Sequence, residues 1–160
     1  MQKRLFNNVD DFISCVGETL GVSQCVEISQ DMINKFAELT MDQQWIHTDP
    51  ARAKERSPYG TTIVHGYFVL SLFTHFLDEI IEVRNLRQVL NYGIDKLTFK
   101  TAVPVNSRVR MEVSLKSARD LGDICKATFM CRFETEDNND SVVEGSIVFL
   151  YYFNEQNNSY

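Results

Sequence analysis

The segment from His65 to about Ile81 constrains the fold most, because a helix formed there would be apolar on nearly every side. Such a helix would be roughly 25 Å long, and it is stable only where other parts of the protein surround it. It is shorter than a membrane-spanning helix and contains Asp78 and Glu79. We therefore predict a helix at the centre of the protein core and no membrane association, with His75 as a hydrogen-bonded core histidine.

After residue 90 the sequence changes to an alternation of apolar and polar residues, which is typical of strands. A first strand over Leu97 to Val103 is closed by Pro104. Three further apolar faces run over Val109 to Leu115, Cys125 to Phe133 and Val143 to Phe153, with turn-forming residues between them. An apolar helix followed by such strands predicts an antiparallel sheet curled around the helix. Pairing of two copies would cover the exposed edges of that sheet, which favours a homodimer.

The residues before the central helix predict two more helices. Apolar residues recur at steps of three and four from about residue 8 to 20, which predicts an amphipathic helix that Gly21 ends. A second helix would begin after Ser29 as N-cap and end near Thr40. Its buried residues are predicted to be Met32, Ile33, Phe36 and Leu39.

The next stretch, D-Q-Q-W-I-H-T-D from Asp42 to Asp49, follows neither period and is predicted to be a loop. Asp49 is predicted to cap a short helix that has Pro50 at its first position and reaches Glu55. The sequence S-P-Y-G, with Pro second and Gly60 fourth, predicts a turn.

The size and composition predict a single domain over residues 1–160, with an N-terminal helical arm over about 1–22 and a frayed tail over about 154–160. The net charge of −6, without a cluster of Lys and Arg, argues against nucleic-acid binding. The four cysteines form no C-x-x-C pair, and the first residues show no secretory pattern. We predict reduced thiols in a cytoplasmic protein, with Cys125 and Cys131 in the core.

From the residues alone, Asp42 and His47 have an ordinary interpretation, in which the carboxylate is solvated and the imidazole is packed and hydrogen-bonded. The only tryptophan, Trp45, lies beside them. A metal site built from His47 and Asp49 lacks a clear third ligand, so we predict no metal.

Two longer stretches show a specific resemblance. F-A-E-L-T-M-D-Q-Q-W-I-H-T-D-P-A-R-A, from Phe36 to Ala53, and S-P-Y-G-T-T-I-V-H-G-Y-F-V-L-S-L, from Ser57, resemble the MaoC-like dehydratases. These are the (R)-specific enoyl-CoA hydratases of the hot-dog fold, and the similarity is to the branch that includes nodulation protein N. N-Y-G-I-D-K-L-T-F and A-V-P-V-N-S-R-V-R are similar to the same branch, so the resemblance covers roughly residues 20 to 150. Met41 stands in place of the family's glycine, and Gln44-Trp45 in place of Asn-Pro.

The resemblance implies an α+β hot-dog fold, an antiparallel sheet wrapped around a long central helix, with N-terminal helices. It implies that Asp42 and His47 hold and deprotonate a water molecule that adds to the double bond of a trans-2-enoyl thioester. The backbone N–H of Gly66, at the helix start, would stabilise the thioester oxygen. His65, Ser71 and Gly60 would support the pair or bind substrate.

The expected substrate is an acyl-CoA or acyl-carrier-protein thioester, with no metal and no redox cofactor. Two alternatives remain open at this point. One is a thioesterase on the same fold, in which Asp42 directs water to the carbonyl carbon. The other is a non-catalytic module that binds acyl thioesters, for which Met41 in place of glycine is the supporting feature.

Overall fold

A computed structural model describes residues 2–137 and 141–154 of the 160-residue chain. In chain order the elements are β1 (Arg4–Phe6), α1 (Val9–Ser14), β2 (Thr19–Val22), β3 (Val26–Glu27), α2 (Gln30–Thr40), α3 (Trp45–Thr48), α4 (Pro50–Arg56), α5 (Gly66–Ser71), α6 (Phe73–Ile80), β4 (Ile81–Val83), β5 (Leu86–Phe99), β6 (Arg108–Asp120), β7 (Ile124–Thr135) and β8 (Ser141–Phe153).

The larger of the two sheets is antiparallel, with strands in the order β2–β6–β7–β8–β5 and with β3 also paired to β6. On β6 and β7 alternate residues are buried, as the sequence period predicts. The predicted strand over Leu97 to Val103 has the wrong bounds, because β5 begins at Leu86 and ends at Phe99. Its first half shows no clear alternation since it is an edge strand with exposed side chains on both faces.

The predicted central helix is present, but it is divided into α5 and α6 at Leu72. Its apolar side faces the sheet through six buried residues: Phe68, Val69, Phe73, Phe76, Leu77 and Ile80. The opposite side reaches solvent, where Tyr67 is 71% exposed. The interpretation of His75 as a core residue is wrong, because its imidazole is 55% exposed and lies 3.6 Å from Glu79 on the same helix.

The N-terminal segment differs most from its prediction. Asn8 caps α1 by accepting a hydrogen bond from the Asp11 amide, but the helix ends at Ser14 rather than near residue 20. The chain then turns at Gly17, which has φ +90° and donates its N–H to the Leu115 carbonyl. The predicted helical arm over residues 1–22 therefore contains two strands, because pairing of β2 with β6 overrides the local helical period.

The segment from α2 to the turn before α5 follows its prediction more closely. Ser29 caps α2, although Leu39 near its end is 82% exposed instead of buried. Asp49 caps α4 by accepting a hydrogen bond from the Arg52 amide, and Gly60 closes a turn by donating to the Ser57 carbonyl. The stretch 42–49 is not all loop, because α3 lies within it.

The core is one cluster of apolar side chains between the central helix and the sheet, and it includes Cys125 and Cys131 as predicted. Within residues 2–137 and 141–154, no helix has the length and apolar character needed to cross a membrane. The predicted frayed tail falls almost wholly on residues 155–160, outside the described ranges.

Candidate active site

The backbone at the end of α2 brings Asp42 towards the start of the central helix. Met41 terminates α2 in the left-handed conformation, with φ 61° and ψ 18°. A residue with a Cβ adopts this conformation at a cost of roughly 1–2 kcal/mol, which glycine avoids. Met41 adopts the left-handed conformation that the turn requires, and its side chain is 84% exposed. The absence of glycine at this position therefore does not prevent the turn.

His47 lies on α3 and is held by a short hydrogen bond. Its Nδ1 lies 2.7 Å from the carbonyl oxygen of Ile63. Because a carbonyl only accepts, Nδ1 carries the proton in this contact. The lone pair of the neutral imidazole is therefore on Nε2, where it can accept a proton from another molecule.

His65, the N-cap residue of α5, links Asp42 to His47. It is 3% exposed, and its Nε2 donates to the Asp42 backbone carbonyl over 3.1 Å. The Asp42 carboxylate lies 3.9 Å from the same nitrogen. The His65 ring stacks on His47 with centroids 3.8 Å apart and an interplanar angle of 25°. His65 thus fixes both members of the predicted catalytic pair.

The environment of His47 favours the neutral imidazole. Partial burial lowers the pKa of His47 below its ordinary value of 6.5, and the nearby His65 ring acts in the same direction. The hydrogen bond to Ile63 and the charge of Asp42 oppose this but do not reverse it. The His47 imidazole is therefore neutral at neutral pH, with Nδ1 protonated and Nε2 unprotonated, which suits a general base.

A cavity of about 310 Å³ connects His47 with the start of the central helix. His47, Gly66 and Phe99 are among its lining residues. The first amides of a helix have no intrahelical acceptor and point out of its N-terminus. The N–H groups of Gly66 and Tyr67 are such donors, so the cavity has a base and hydrogen-bond donors for an oxyanion.

The side chains of Asp42, His47 and His65 each place one ligand atom within 4.8 Å of the other two. A metal ion would have to lie in the plane of both imidazole rings, since the nitrogen lone pairs lie in those planes. The two rings are stacked and nearly parallel, so their lone pairs do not converge on one point. This donor set fits a hydrogen-bonded pair better than a metal site.

Two predicted supporting residues lie elsewhere. The Ser71 hydroxyl donates to the Phe68 carbonyl over 2.7 Å and lines a second cavity, together with Asn91 and Ile147. Gly60 has φ +66° in the exposed turn before α5. The structure therefore brings together Asp42, His47, His65 and Gly66, and it does not place Ser71 or Gly60 with them.

Two contributors were absent from the sequence analysis. The Ile63 carbonyl sets the tautomer of His47, and the Phe99 ring packs on Gly66. A backbone carbonyl has no signature in the sequence. Phe99 reaches the site from the end of a distant strand, so only the tertiary structure shows its position.

The fold is the hot-dog fold, and His47 and the start of the central helix line one cavity, with Asp42 close to His47 through the buried His65 ring. The chain belongs to the MaoC-like domain family, whose model matches residues 11–130. It is 41% identical over 134 residues to 3-hydroxyacyl-thioester dehydratase Z of Mycobacterium tuberculosis, with 83% of this chain and 88% of that protein covered.

Two further relatives support the family. Nodulation protein N of Rhizobium meliloti is 33% identical over 149 residues, which covers 92% of each chain. The solved structure of the (R)-hydratase from A. caviae involved in PHA biosynthesis superposes with a TM-score of 0.69 at 28% identity, covering 84% of this chain and 94% of that one. The predicted family, branch and fold are confirmed.

Proposed function

We propose that this protein is an (R)-specific 2-enoyl-CoA hydratase, equivalent in the reverse direction to a 3-hydroxyacyl-thioester dehydratase. The broader class is established by the family and by the dehydratase and hydratase relatives, which make the chain an enzyme of the hydro-lyase class. The observation that carries the finer assignment is that His47, with a free Nε2, lines the same cavity as the Gly66 amide.

In this mechanism water is held between Asp42 and His47. Nε2 of His47 accepts one proton as the water oxygen bonds to C3 of the enoyl thioester, while the Asp42 carboxylate accepts a hydrogen bond from the remaining O–H. The electron pair of the double bond moves onto the thioester oxygen as an enolate. Protonated Nε2 of His47 then donates its proton to C2, which restores the thioester and the neutral imidazole, and the product is the 3-hydroxyacyl thioester. Acid–base groups of this kind supply about 10²–10⁴ in rate.

The enolate oxygen is stabilised by the N-terminus of α5. The Gly66 N–H donates to it at the positive end of the helix dipole. Glycine at this position lets the Phe99 ring pack against the start of α5, because a Cβ here would lie 2.8 Å from a carbon of that ring. Removing one such donor in other enzymes costs about 2.7–4 kcal/mol, comparable to the acid–base contribution, so both parts of the site are needed.

The reaction requires no redox step, and the stacked histidines do not converge on an ion, so we propose that the enzyme acts without a metal or redox cofactor. The substrate is an acyl thioester of CoA or of an acyl-carrier protein. We also propose that the protein acts in the cytoplasm.

The direct test is loss of the conjugated thioester absorbance when purified protein is added to crotonyl-CoA. Chiral analysis of the 3-hydroxybutanoyl product should show the (R) isomer. Release of CoA thiol from saturated butanoyl-CoA would instead indicate a thioesterase. Binding of both thioesters without any turnover would indicate a non-catalytic module.

The lowered pKa of His47 predicts the pH dependence of kcat/KM. Only the neutral imidazole accepts a proton, so activity is lost as pH falls through the His47 pKa. Because burial places this pKa below 6.5, kcat/KM should be constant through neutral pH and decline only in more acidic solution. A stopped-flow pH profile checks this, and an acid limb with its midpoint above 6.5 would contradict the assignment.

We further propose that the protein is a homodimer that pairs through β5. Among residues 2–137 and 141–154, this edge strand of 14 residues pairs with β8 alone, and it exposes large apolar side chains. Val89, Leu90, Tyr92 and Ile94 are 42%, 46%, 59% and 53% exposed. The N–H and C=O groups along such an edge can pair with a strand of another chain. A two-fold contact between two β5 strands would cover the edge.

Ile94→Lys on β5 is expected to shift the protein from dimer to monomer, because it places a charge within the contact. Light scattering coupled to size-exclusion chromatography measures the mass directly. Leu39→Lys on α2 is the matched control, since Leu39 is 82% exposed and lies outside β5. A monomeric wild-type protein, or a mass unchanged by Ile94→Lys, would contradict pairing through this strand.

A further inference from the structure

The imidazole of His65 is a buried titratable group that the proposed proton transfers do not use. It is 3% exposed and contacts two rings, that of His47 with centroids 3.8 Å apart and that of Phe36 with centroids 5.2 Å apart. Among the described residues, His65 is not part of the wall of the cavity that His47 and Gly66 line. Any contribution of His65 to the reaction therefore passes through its neighbours.

The hydrogen bonding of this ring shows which nitrogen carries the proton. Nε2 lies 3.1 Å from the backbone carbonyl oxygen of Asp42, and because a carbonyl only accepts, Nε2 is the protonated nitrogen. Nδ1 is buried and has no hydrogen-bond partner among the described residues. A buried nitrogen without a partner has no group to exchange a proton with, so His65 acts as a donor through Nε2 alone.

The bond from Nε2 connects the central helix to Asp42. Asp42 lies in an exposed stretch after α2, and its own side chain is 54% exposed. Apart from the His65 ring, no side chain in the described part of the chain hydrogen-bonds to Asp42. The carboxylate is 3.9 Å from Nε2, which is too far for a hydrogen bond, so the bond to the backbone carbonyl is the direct connection.

His65 also connects Asp42 to the proposed oxyanion donor. It is the N-cap of α5, and the next residue is Gly66. A single residue therefore joins the Asp42 carbonyl to the first amide of the helix. Because a displacement of about 1 Å in an active site can lower the rate by about 10²-fold, a hydrogen bond that fixes Asp42 relative to Gly66 is expected to affect kcat.

We propose that His65 is a positioning residue, which holds Asp42 beside His47 and the helix start through its Nε2–H and transfers no proton itself. A phenylalanine would keep an aromatic ring against His47 but would donate no hydrogen bond. The N–H is therefore the property of histidine that the site uses. This inference rests on the proposed function, because it concerns the geometry of the pair that holds the water.

The kinetic test is a double-mutant cycle between His65→Phe and Asp42→Asn with crotonyl-CoA as substrate. His65→Phe alone should lower kcat by about 10²-fold, the cost of a displacement of about 1 Å, with little change in KM. In the Asp42→Asn background the same substitution should have little further effect, because the carboxylate that it displaces is already absent. A residue that only supports the fold would instead give two losses that multiply.

His75→Phe is the matched control, because it makes the same substitution at an exposed position of the central helix. It should retain wild-type kcat and KM. A loss of less than about tenfold in His65→Phe, well below the cost of a 1 Å displacement, would overturn the inference. Losses that multiply in the double variant would overturn it equally.

The tautomer of His65 tests the connection without any measurement of activity. The chain has three histidines, so long-range proton–nitrogen NMR spectra distinguish their rings, and His47→Gln and His75→Gln assign them. We expect His65 to carry its proton on Nε2, and a proton on Nδ1 would contradict the inference. Wild-type protein that fails to hydrate crotonyl-CoA would instead contradict the proposed function. If His65→Phe does not fold, the tautomer in wild-type protein decides the inference.

Discussion

Replacing His47 with glutamine is expected to lower kcat for crotonyl-CoA hydration by about 10²–10⁴, the contribution of a well-placed general base. Glutamine retains a polar side chain of similar length but has no group that accepts a proton at neutral pH. Asp42→Asn should produce a loss in the same range, because the amide no longer provides a carboxylate to hold the water. KM should change little in both variants, since the lost interactions act mainly in the transition state.

His75→Gln is the matched control for this experiment. His75 lies on the same central helix, but its ring is exposed and its neighbour is Glu79 rather than the cavity. It should retain wild-type kcat and KM. Rates for His47→Gln and Asp42→Asn within a few-fold of wild type would show that the pair does not perform the acid–base chemistry.

The second large effect is expected on stability, from Gly145→Ala in β8. Gly145 lies opposite Leu97 of β5, and a Cβ there would collide with the Lys96 carbonyl oxygen and lie 2.8 Å from Leu97 Cδ1. The obstacle is mainly backbone, which cannot rotate away as a side chain can. Overpacking of this kind typically costs about 1–3 kcal/mol, and urea unfolding monitored by circular dichroism measures the loss.

Gly93→Ala provides the comparison within the same pair of strands. A Cβ on Gly93 would have no atom within 4 Å, and its backbone is not in the left-handed region. Its free energy of unfolding should remain within about 0.5 kcal/mol of wild type. Equal stability of Gly145→Ala and Gly93→Ala would contradict the close approach of β5 and β8 at this point.

The sequence predicts the parts of the fold whose residues repeat with a clear period. The alternation on β6 and β7 marks strands with one buried face, and the apolar segment after His65 marks the central helix. The first 22 residues show the limit of this reasoning. Val16 and Leu20 continue a helical spacing, yet β2 forms because its backbone pairs with β6, some ninety residues later.

The site was predictable only in part for a similar reason. The family resemblance of the segments that contain Asp42, His47 and the His65–Gly66 helix start implied four site residues that the structure brings together. Ser71 was a plausible fifth on family resemblance, but its hydroxyl bonds within the helix and it lines a different cavity. The side on which a helical residue projects depends on helix packing, which a single sequence does not specify.

The order of strands in the sheet has a consequence for biosynthesis. β8 follows β5, β6 and β7 in the chain but lies between β7 and β5 in the sheet, so within the described strands β5 has no neighbour until residues 141–153 have been synthesised. Strand β1 likewise cannot pair with β4 until residues 81–83 have been synthesised. During synthesis, the edge of β5 that pairs with β8 therefore stays without its partner strand while roughly forty further residues, including β6 and β7, are added.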